Sequence, residues 1–223
     1  MKDSDRGAIS LSGGLDSAVA LSIALQDCAS MAAVFFEYGQ KTQGRERRCF
    51  DQLTEFHGDR ISEKRVIDLS WLETLGVSAL FNVQTMLDES NPQAEYVPFR
   101  NTLFLAALAA YAESQQMDAI YIGSTGGDRI CPDNSPSFIA AFQQILEQGS
   151  LLKKDIKLRA PLLTGDKTQV VKIGQELSTP FQFTWSCHNS TEVACGRCSN
   201  CRARLQAFAA NGIEDPIPYA TQK

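Results

Sequence analysis

The sequence predicts an α/β fold, a doubly wound parallel sheet with a small metal-binding module behind it. Three observations predict it. Short apolar runs alternate with helix-patterned stretches over most of the 223 residues. A Ser/Gly-rich turn, Ser10-Leu-Ser-Gly-Gly-Leu-Asp-Ser17, joins the first apolar run to the first helix. Beyond the last helix of that series, cysteines cluster at Cys187, Cys195, Cys198 and Cys201. The expected division is an α/β domain over 1–180 and a four-cysteine zinc module with a helix over 181–223.

Taken in order, Gly7–Leu11 reads as a short buried strand and Ser17–Gln26 as a helix whose apolar positions are too evenly spread to face water. Met31–Phe36 is a second strand, ending at Glu37-Tyr-Gly-Gln40, where Gly39 permits a turn. Arg45–His57 is a charged amphipathic helix, Arg65–Leu69 a third strand, and Ser70–Pro98 a long connection of the kind that usually carries function. Phe99–Gln115 is an apolar helix introduced by Tyr96-Val-Pro-Phe-Arg-Asn101, and it feeds a strand at Ala119–Gly123. Pro136 starts a helix over Ser137–Gln148; Lys157–Leu163 is extended; Asp166 caps a helix running to Leu177. The tail from Asp215 reads as an extended peripheral segment.

Composition narrows the function. A formal net charge of −5 argues against general affinity for a nucleic-acid backbone. The polar Met1-Lys-Asp-Ser-Asp-Arg6 start and the lack of an apolar run of about 18 residues predict a cytoplasmic protein without a membrane span. Seven cysteines are an odd number for a disulfide framework, and in a reducing compartment clustered cysteines bind metal.

Two motifs carry chemistry. Ser12, Gly13, Gly14 and Ser17 are the small residues that let backbone N–H groups close around a phosphate at a helix N-terminus, where the helix dipole favours anions. The stretch has neither the Gly-Lys-Ser/Thr ending of a Walker A loop nor a Gly-x-Gly-x-x-Gly. The interlocked Cys195-x-x-Cys198-x-x-Cys201, with Cys187 upstream, offers four thiolates to one tetrahedral ion. Structural zinc is expected, with an iron–sulfur cluster as the rival. Cys28 and Cys49 read as small apolar residues, and His57 and His188 as surface or packing residues.

The Ser12-Gly-Gly-Leu-Asp-Ser17 loop resembles that of the PP-loop ATP pyrophosphatases, whose sheet is adenine nucleotide alpha hydrolase-like. In chain order, that loop, Phe36-Glu-Tyr-Gly-Gln40, Tyr96-Val-Pro-Phe-Arg-Asn101, Pro132-Asp133, Pro161-Leu-Leu163 with Lys167, and Thr184-Trp-Ser-Cys187 running into the cysteines are similar to the 7-cyano-7-deazaguanine synthase family. The resemblance implies an ATP-dependent, carbon–nitrogen bond-forming ligase of the queuosine pathway. It would adenylate 7-carboxy-7-deazaguanine, take ammonia to an amide, and dehydrate that amide to the nitrile with a second ATP. It further implies Mg²⁺, a structural Zn²⁺ and a homodimer.

Carried onto this sequence, the loop residues Leu11, Ser12, Gly13, Gly14, Asp16 and Ser17 would bind the nucleotide. Asp16, Arg100 and Lys167 would act in catalysis, Asp16 holding Mg²⁺ or the helix entry and the two cations facing the leaving pyrophosphate. Tyr38, Gln40, Arg100, Asn101, Asp128 and Asp133 would contact the base-like substrate. One stretch departs from the family pattern: where the family carries an aromatic-Ser-Gly-Tyr-Pro-Asp-Cys-Arg segment after an aspartate, Asp128-Arg-Ile-Cys-Pro-Asp-Asn-Ser135 is shorter by one residue and lacks the tyrosine before Pro132 and the cysteine and arginine after Asp133. That departure admits a second reading, transfer of the activated acyl group to a protein amine in antiviral defence. A non-catalytic nucleotide- or RNA-binding zinc protein is a third, which the intact loop and acidic balance oppose. A tRNA-thiolating relative would bring a basic extension and a cysteine pair near the loop, and neither is present in the sequence.

Overall fold

The computed structural model describes residues 5–82, 84, 85, 92–126, 131–152 and 155–220. Five parallel strands form one sheet: β1 (Arg6–Ser10), β2 (Ser30–Glu37), β3 (Ile61–Asp68), β4 (Ala119–Tyr121) and β5 (Lys157–Arg159). Their order, β3-β2-β1-β4-β5, reverses direction between β1 and β4. In open α/β sheets a crevice opens at such a switch point, beyond the carboxyl ends of the strands, and ligands bind there.

Strand residues point alternately to the two faces, and each face has its own core. Ile9, Ala33, Phe35 and Tyr121 pack with α1 (Leu15–Asp27), α2 (Gln43–His57), α5 (Lys167–Glu176) and α6 (Ser199–Ala210). Ala8, Val34, Phe36 and Ile120 pack on the other face with α3 (Arg100–Ser114) and α4 (Pro136–Gly149). Both faces of β1 and β2 are therefore covered, which is why these strands read as continuous apolar runs. β3 begins four residues earlier than its sequence pattern suggests. It is an edge strand, and the charged Glu63, Lys64 and Arg65 hid its first half.

Two expectations need correction. Lys157–Leu163 is a three-residue strand followed by a turn through Pro161–Thr164, because Leu163 and Gly165 hydrogen-bond back to Ala160 and Leu162. The tail is not peripheral. The Asp215 carboxylate, 2% exposed, receives Arg204 Nε and Nη2 at 2.7 and 2.9 Å, Ile217 is buried, and Tyr219 bridges to Ala194. Arg204 itself is wholly buried, and its guanidinium also donates to Thr184 Oγ1, Ser186 Oγ and Phe181 O. Among the described residues no helix is long and apolar enough to cross a membrane.

The Ser70–Pro98 connection carries local structure of its own. It holds short 3₁₀ turns at Ser70–Leu75 and Pro92–Glu95, and Leu72, Leu80 and Val97 form a small core beneath it. Gly39, at φ +83°, lets this segment approach, since a β-carbon there would meet the Glu73 side chain at 2.7 Å.

Candidate active site

β1 ends at Ser10, and the loop that follows turns directly into α1 at the switch point. Gly13 sits at φ +76°, and a β-carbon on it would lie 2.4 Å from Glu46 O and 2.8 Å from Cys49 Cβ. Only glycine fits there. Gly14 is the N-cap of α1 and offers no side-chain hydrogen bond. The first-turn N–H groups of α1 therefore have no side-chain acceptor from the N-cap, which leaves them to an anion. Ser12 Oγ accepts from Gly14 N at 3.3 Å and meets Ser17 Oγ at 3.1 Å, while Ser17 Oγ donates to Gly14 O. Leu11 contributes backbone only; its side chain is buried and its N–H donates to Val34 O. Gly123, just past β4, closes the far wall, because a β-carbon there would come within 2.8 Å of Ser17 N. These residues fit a phosphate group: the loop residues are small, the N-cap offers no side-chain acceptor, and the one first-turn carboxylate, Asp16, is paired with Lys167.

The first residue of α5 reaches into this cradle. Asp166 and Gln169 form a reciprocal capping box that fixes the start of α5. Lys167 Nζ then lies 2.7 and 2.6 Å from the two Asp16 oxygens. Both side chains are about a quarter exposed, at 24% and 27%, so an incoming anion can reach the ammonium.

A second group stands beyond the end of β2. Arg100 opens α3, and the residue before it, Phe99, adopts φ +52° with 66% of its surface exposed. A non-glycine residue in that region is strained, and such strain clusters at functional sites. Arg100 Nη1 donates to Tyr38 OH at 3.2 Å, its guanidinium lies 5.2 Å from the Tyr38 ring centre, and its buried Nε has no hydrogen-bond partner. Burial pushes the Tyr38 phenol up to about 12 against the opposing pull of Arg100, so the hydroxyl stays protonated.

Three of the residues expected to contact substrate use their polar groups on the protein instead. Gln40, 4% exposed, accepts from Tyr38 N and donates to Phe36 O and Glu46 Oε2. Asp133, 6% exposed, caps α3 from outside, receiving Asn101 N at 2.9 Å, Thr102 N at 3.2 Å and Asn101 Nδ2 at 3.4 Å. Asn101 is thus held by Asp133 and does not cap its own helix. Asp128 lies outside the described residues.

The cysteines converge. One sulfur from each of Cys187, Cys195, Cys198 and Cys201 falls within 4.8 Å of the others, and Cys195 Sγ is 3.9 Å from Cys201 Sγ. A tetrahedron with arms of about 2.3 Å has edges of roughly 3.8 Å, close to the one sulfur–sulfur distance of 3.9 Å, so the four donors can close on one ion. Backbone N–H groups of Asn189 and Cys195 point at Cys187 Sγ, and that of Cys198 at Cys195 Sγ, each at 3.4 Å, as they do toward thiolates. Hydrogen bonds from Cys198 and Cys201, with the backbone donors of Cys195 and Asn189, pull the Cys187 thiol well below the usual thiol range.

Several residues brace the site through contacts that the sequence does not show. Trp185 N donates to Gly13 O at 2.9 Å and so braces the loop from the metal module. Glu95 receives Ser199 Oγ at 3.0 Å and Asn200 Nδ2 at 3.2 Å, with His188 Nδ1 at 3.3 Å, and these contacts tie the long connection to the same module. Glu46, whose carbonyl abuts Gly13, receives Thr42 Oγ1 and Gln40 Nε2. Glu95 and Glu46 read in the sequence as ordinary charged surface residues, and Trp185 only as part of the Thr184-Trp-Ser-Cys187 motif. Only a pairing between distant positions could have revealed these contacts.

The profile of the queuosine biosynthesis protein QueC family matches residues 7–212. Among curated relatives, the 7-cyano-7-deazaguanine synthase of Methanospirillum hungatei is 38% identical over 215 residues, covering 94% of this chain and 97% of its own. The proteins of the same name from Aliarcobacter butzleri and Chlorobaculum parvum are 39% and 36% identical, covering 94% and 96% of this chain and 93% and 96% of their own lengths. With the phosphate loop, the switch-point crevice and the four-cysteine cluster all inside the matched span, the chain belongs to the queuosine biosynthesis protein QueC family.

Proposed function

We propose that this protein is an ATP-dependent ligase that converts 7-carboxy-7-deazaguanine and ammonia to 7-cyano-7-deazaguanine. The observation that carries the reading is the uncapped, donor-lined start of α1 at the switch point, with Lys167 held at its mouth by Asp16. It is supported by near-full-length relatives bearing that synthase name.

In the first half-reaction a carboxylate oxygen of the base attacks the α-phosphorus, and pyrophosphate leaves. Negative charge grows on the leaving group, where the N–H groups of the loop and the Lys167 ammonium stabilise it. Lys167 must leave Asp16 to do so, which frees the Asp16 carboxylate for Mg²⁺. That ion, when bound, screens the phosphate charge. Arg100, with its unpartnered Nε, holds the substrate carboxylate in line for attack. Gln40, Asn101 and Asp133 position rather than touch substrate, by fixing the Tyr38 turn and the start of α3. Ammonia then attacks the acyl carbon, the carbon–oxygen bond to the phosphate breaks, AMP leaves, and the nitrogen gives up one proton to water, so that a primary amide remains. A second ATP adenylates the amide oxygen, and loss of that oxygen as AMP with two protons leaves the nitrile.

The four-cysteine cluster would hold Zn²⁺ in a structural role, since all four donors are protein thiolates and would leave no coordination position for substrate. The module of residues 181–223 braces the loop through Trp185 and the long connection through Glu95.

The test is product analysis with purified protein, Mg²⁺, ATP, ammonium and 7-carboxy-7-deazaguanine. Nitrile is expected, with two ATP consumed per base. Amide alone, at one ATP per base, overturns the nitrile synthase and moves the search to a protein amine as acceptor.

A further inference from the structure

The cations already placed at the site are committed in this structure, Lys167 to Asp16 and Arg100 to Tyr38. Arg45 is different. It stands in the first turn of α2, half-buried, and its guanidinium lies 4.4 Å above the Trp185 ring. Among the described residues its guanidinium makes no hydrogen bond and no ion pair, and its Nε is buried without a partner. A half-buried guanidinium with five donors and no acceptor is costly unless an anion arrives.

Its neighbours fix where that anion would be. The platform under Arg45, Trp185, donates its backbone N–H to Gly13 O, and Trp185 O is 3.7 Å from the place a Gly14 β-carbon would occupy. The next residue along α2, Glu46, presses its carbonyl against Gly13. Arg45 therefore flanks the phosphate loop on the α2 side, at the two glycines, opposite the β4 wall formed by Gly123. Stacking on the indole holds the guanidinium plane and leaves its N–H edge for a ligand. Sequence reading assigns this residue only to the polar face of an amphipathic helix.

Resting on the ATP-using reading above, we infer that Arg45 binds the β,γ-diphosphate of the nucleotide and retains the pyrophosphate as it leaves. A charge-assisted, bidentate contact of this kind is lost when the guanidinium is removed, whereas a nucleotide monophosphate, which carries no β or γ group, does not sense it.

The experiment is calorimetric titration of the metal-loaded protein with Mg²⁺ and three probes: inorganic pyrophosphate, an α,β-methylene analogue of ATP that cannot be cut, and AMP. Arg45→Ala is expected to weaken pyrophosphate and the analogue about 10- to 100-fold and to leave AMP binding within twofold, with zinc content unchanged. Equal binding of all three probes by the variant and the wild-type protein overturns the inference. So does a parallel loss for AMP, which marks Arg45 as a strut between α2 and the metal module. Should Arg45→Ala lose metal or fold, Arg45→Gln keeps a stem over Trp185 without the charge, and unchanged pyrophosphate binding by that folded variant is equally fatal. Failure of the folded wild-type protein to bind the analogue at all would instead sink the ATP reading on which the inference stands.

Discussion

Adjacent glycines in the phosphate loop should fail in opposite ways when each is changed to alanine. At Gly13 the backbone is at φ +76°, where an L-residue costs about 1–2 kcal/mol. The new β-carbon would also sit 2.4 Å from Glu46 O and 2.8 Å from Cys49 Cβ, and such overpacking against backbone adds about 1–3 kcal/mol. Gly13→Ala should therefore lose about 2–5 kcal/mol, a fall in melting temperature of roughly 4–20 °C for a chain of this size. At Gly14 the backbone, φ −80° and ψ 163°, suits any residue, and the nearest atom to a β-carbon is the movable Ser12 Oγ at 3.2 Å. Gly14→Ala should melt within about 2 °C of wild type, as changes away from packed sites do. Its methyl group crowds the Ser12 wall of the cradle, however, and a displacement of the phosphate by about 1 Å can cost on the order of 100-fold in rate. Differential scanning calorimetry and a coupled pyrophosphate-release assay on both variants read the two effects separately. Wild-type turnover by Gly14→Ala, or a wild-type melting temperature for Gly13→Ala, would refute this account of the loop.

Three further outcomes are expected. Asp16→Ala should abolish ATP-dependent pyrophosphate release while changing stability by no more than about 1 kcal/mol, because its partner Lys167 is near the surface; turnover and chemical denaturation curves check both halves. Elemental analysis should find one zinc per chain, and stripping it should unfold the C-terminal module, since structural zinc contributes on the order of 10 kcal/mol to folding; iron with a visible absorption band would show the other occupant. Arg204→Met leaves Asp215 buried without its cation, so it should cost about 3–5 kcal/mol, measurable as a shifted urea midpoint; a midpoint equal to wild type would mean that the pair is dispensable.

The parts of this protein that were legible beforehand are those whose cause is local. β1, β2 and α1 announce themselves because burial on both faces leaves no polar position to confuse the pattern. Asp166 three residues before Gln169 spells a helix start, and the spacing of Cys195, Cys198 and Cys201 spells a metal site. What could not be read depends on distant partners. Asp133 reads as a residue for substrate, yet its carboxylate closes a helix that begins 33 positions before it in numbering, at Arg100. Gln40 reads as a base contact, yet the turn it sits in folds the amide inward. Arg45 and Glu95 look like solvated charges, because one sequence shows the charge of a residue without showing which neighbours surround it.

The braces of the site run from one end of the chain to the other. Gly13 O waits for Trp185 N, Asp16 for Lys167, and Glu95 for Ser199 and Asn200. During synthesis the loop, α1 and the long connection leave the ribosome well before any of these partners exists. An unfinished or prematurely terminated chain can build much of the sheet but owns a slack cradle, a carboxylate without its cation and an untethered connection. A chain that stops before Lys167 lacks the cation that faces Asp16, and one that stops before Ser199 leaves Glu95 without two of its partners.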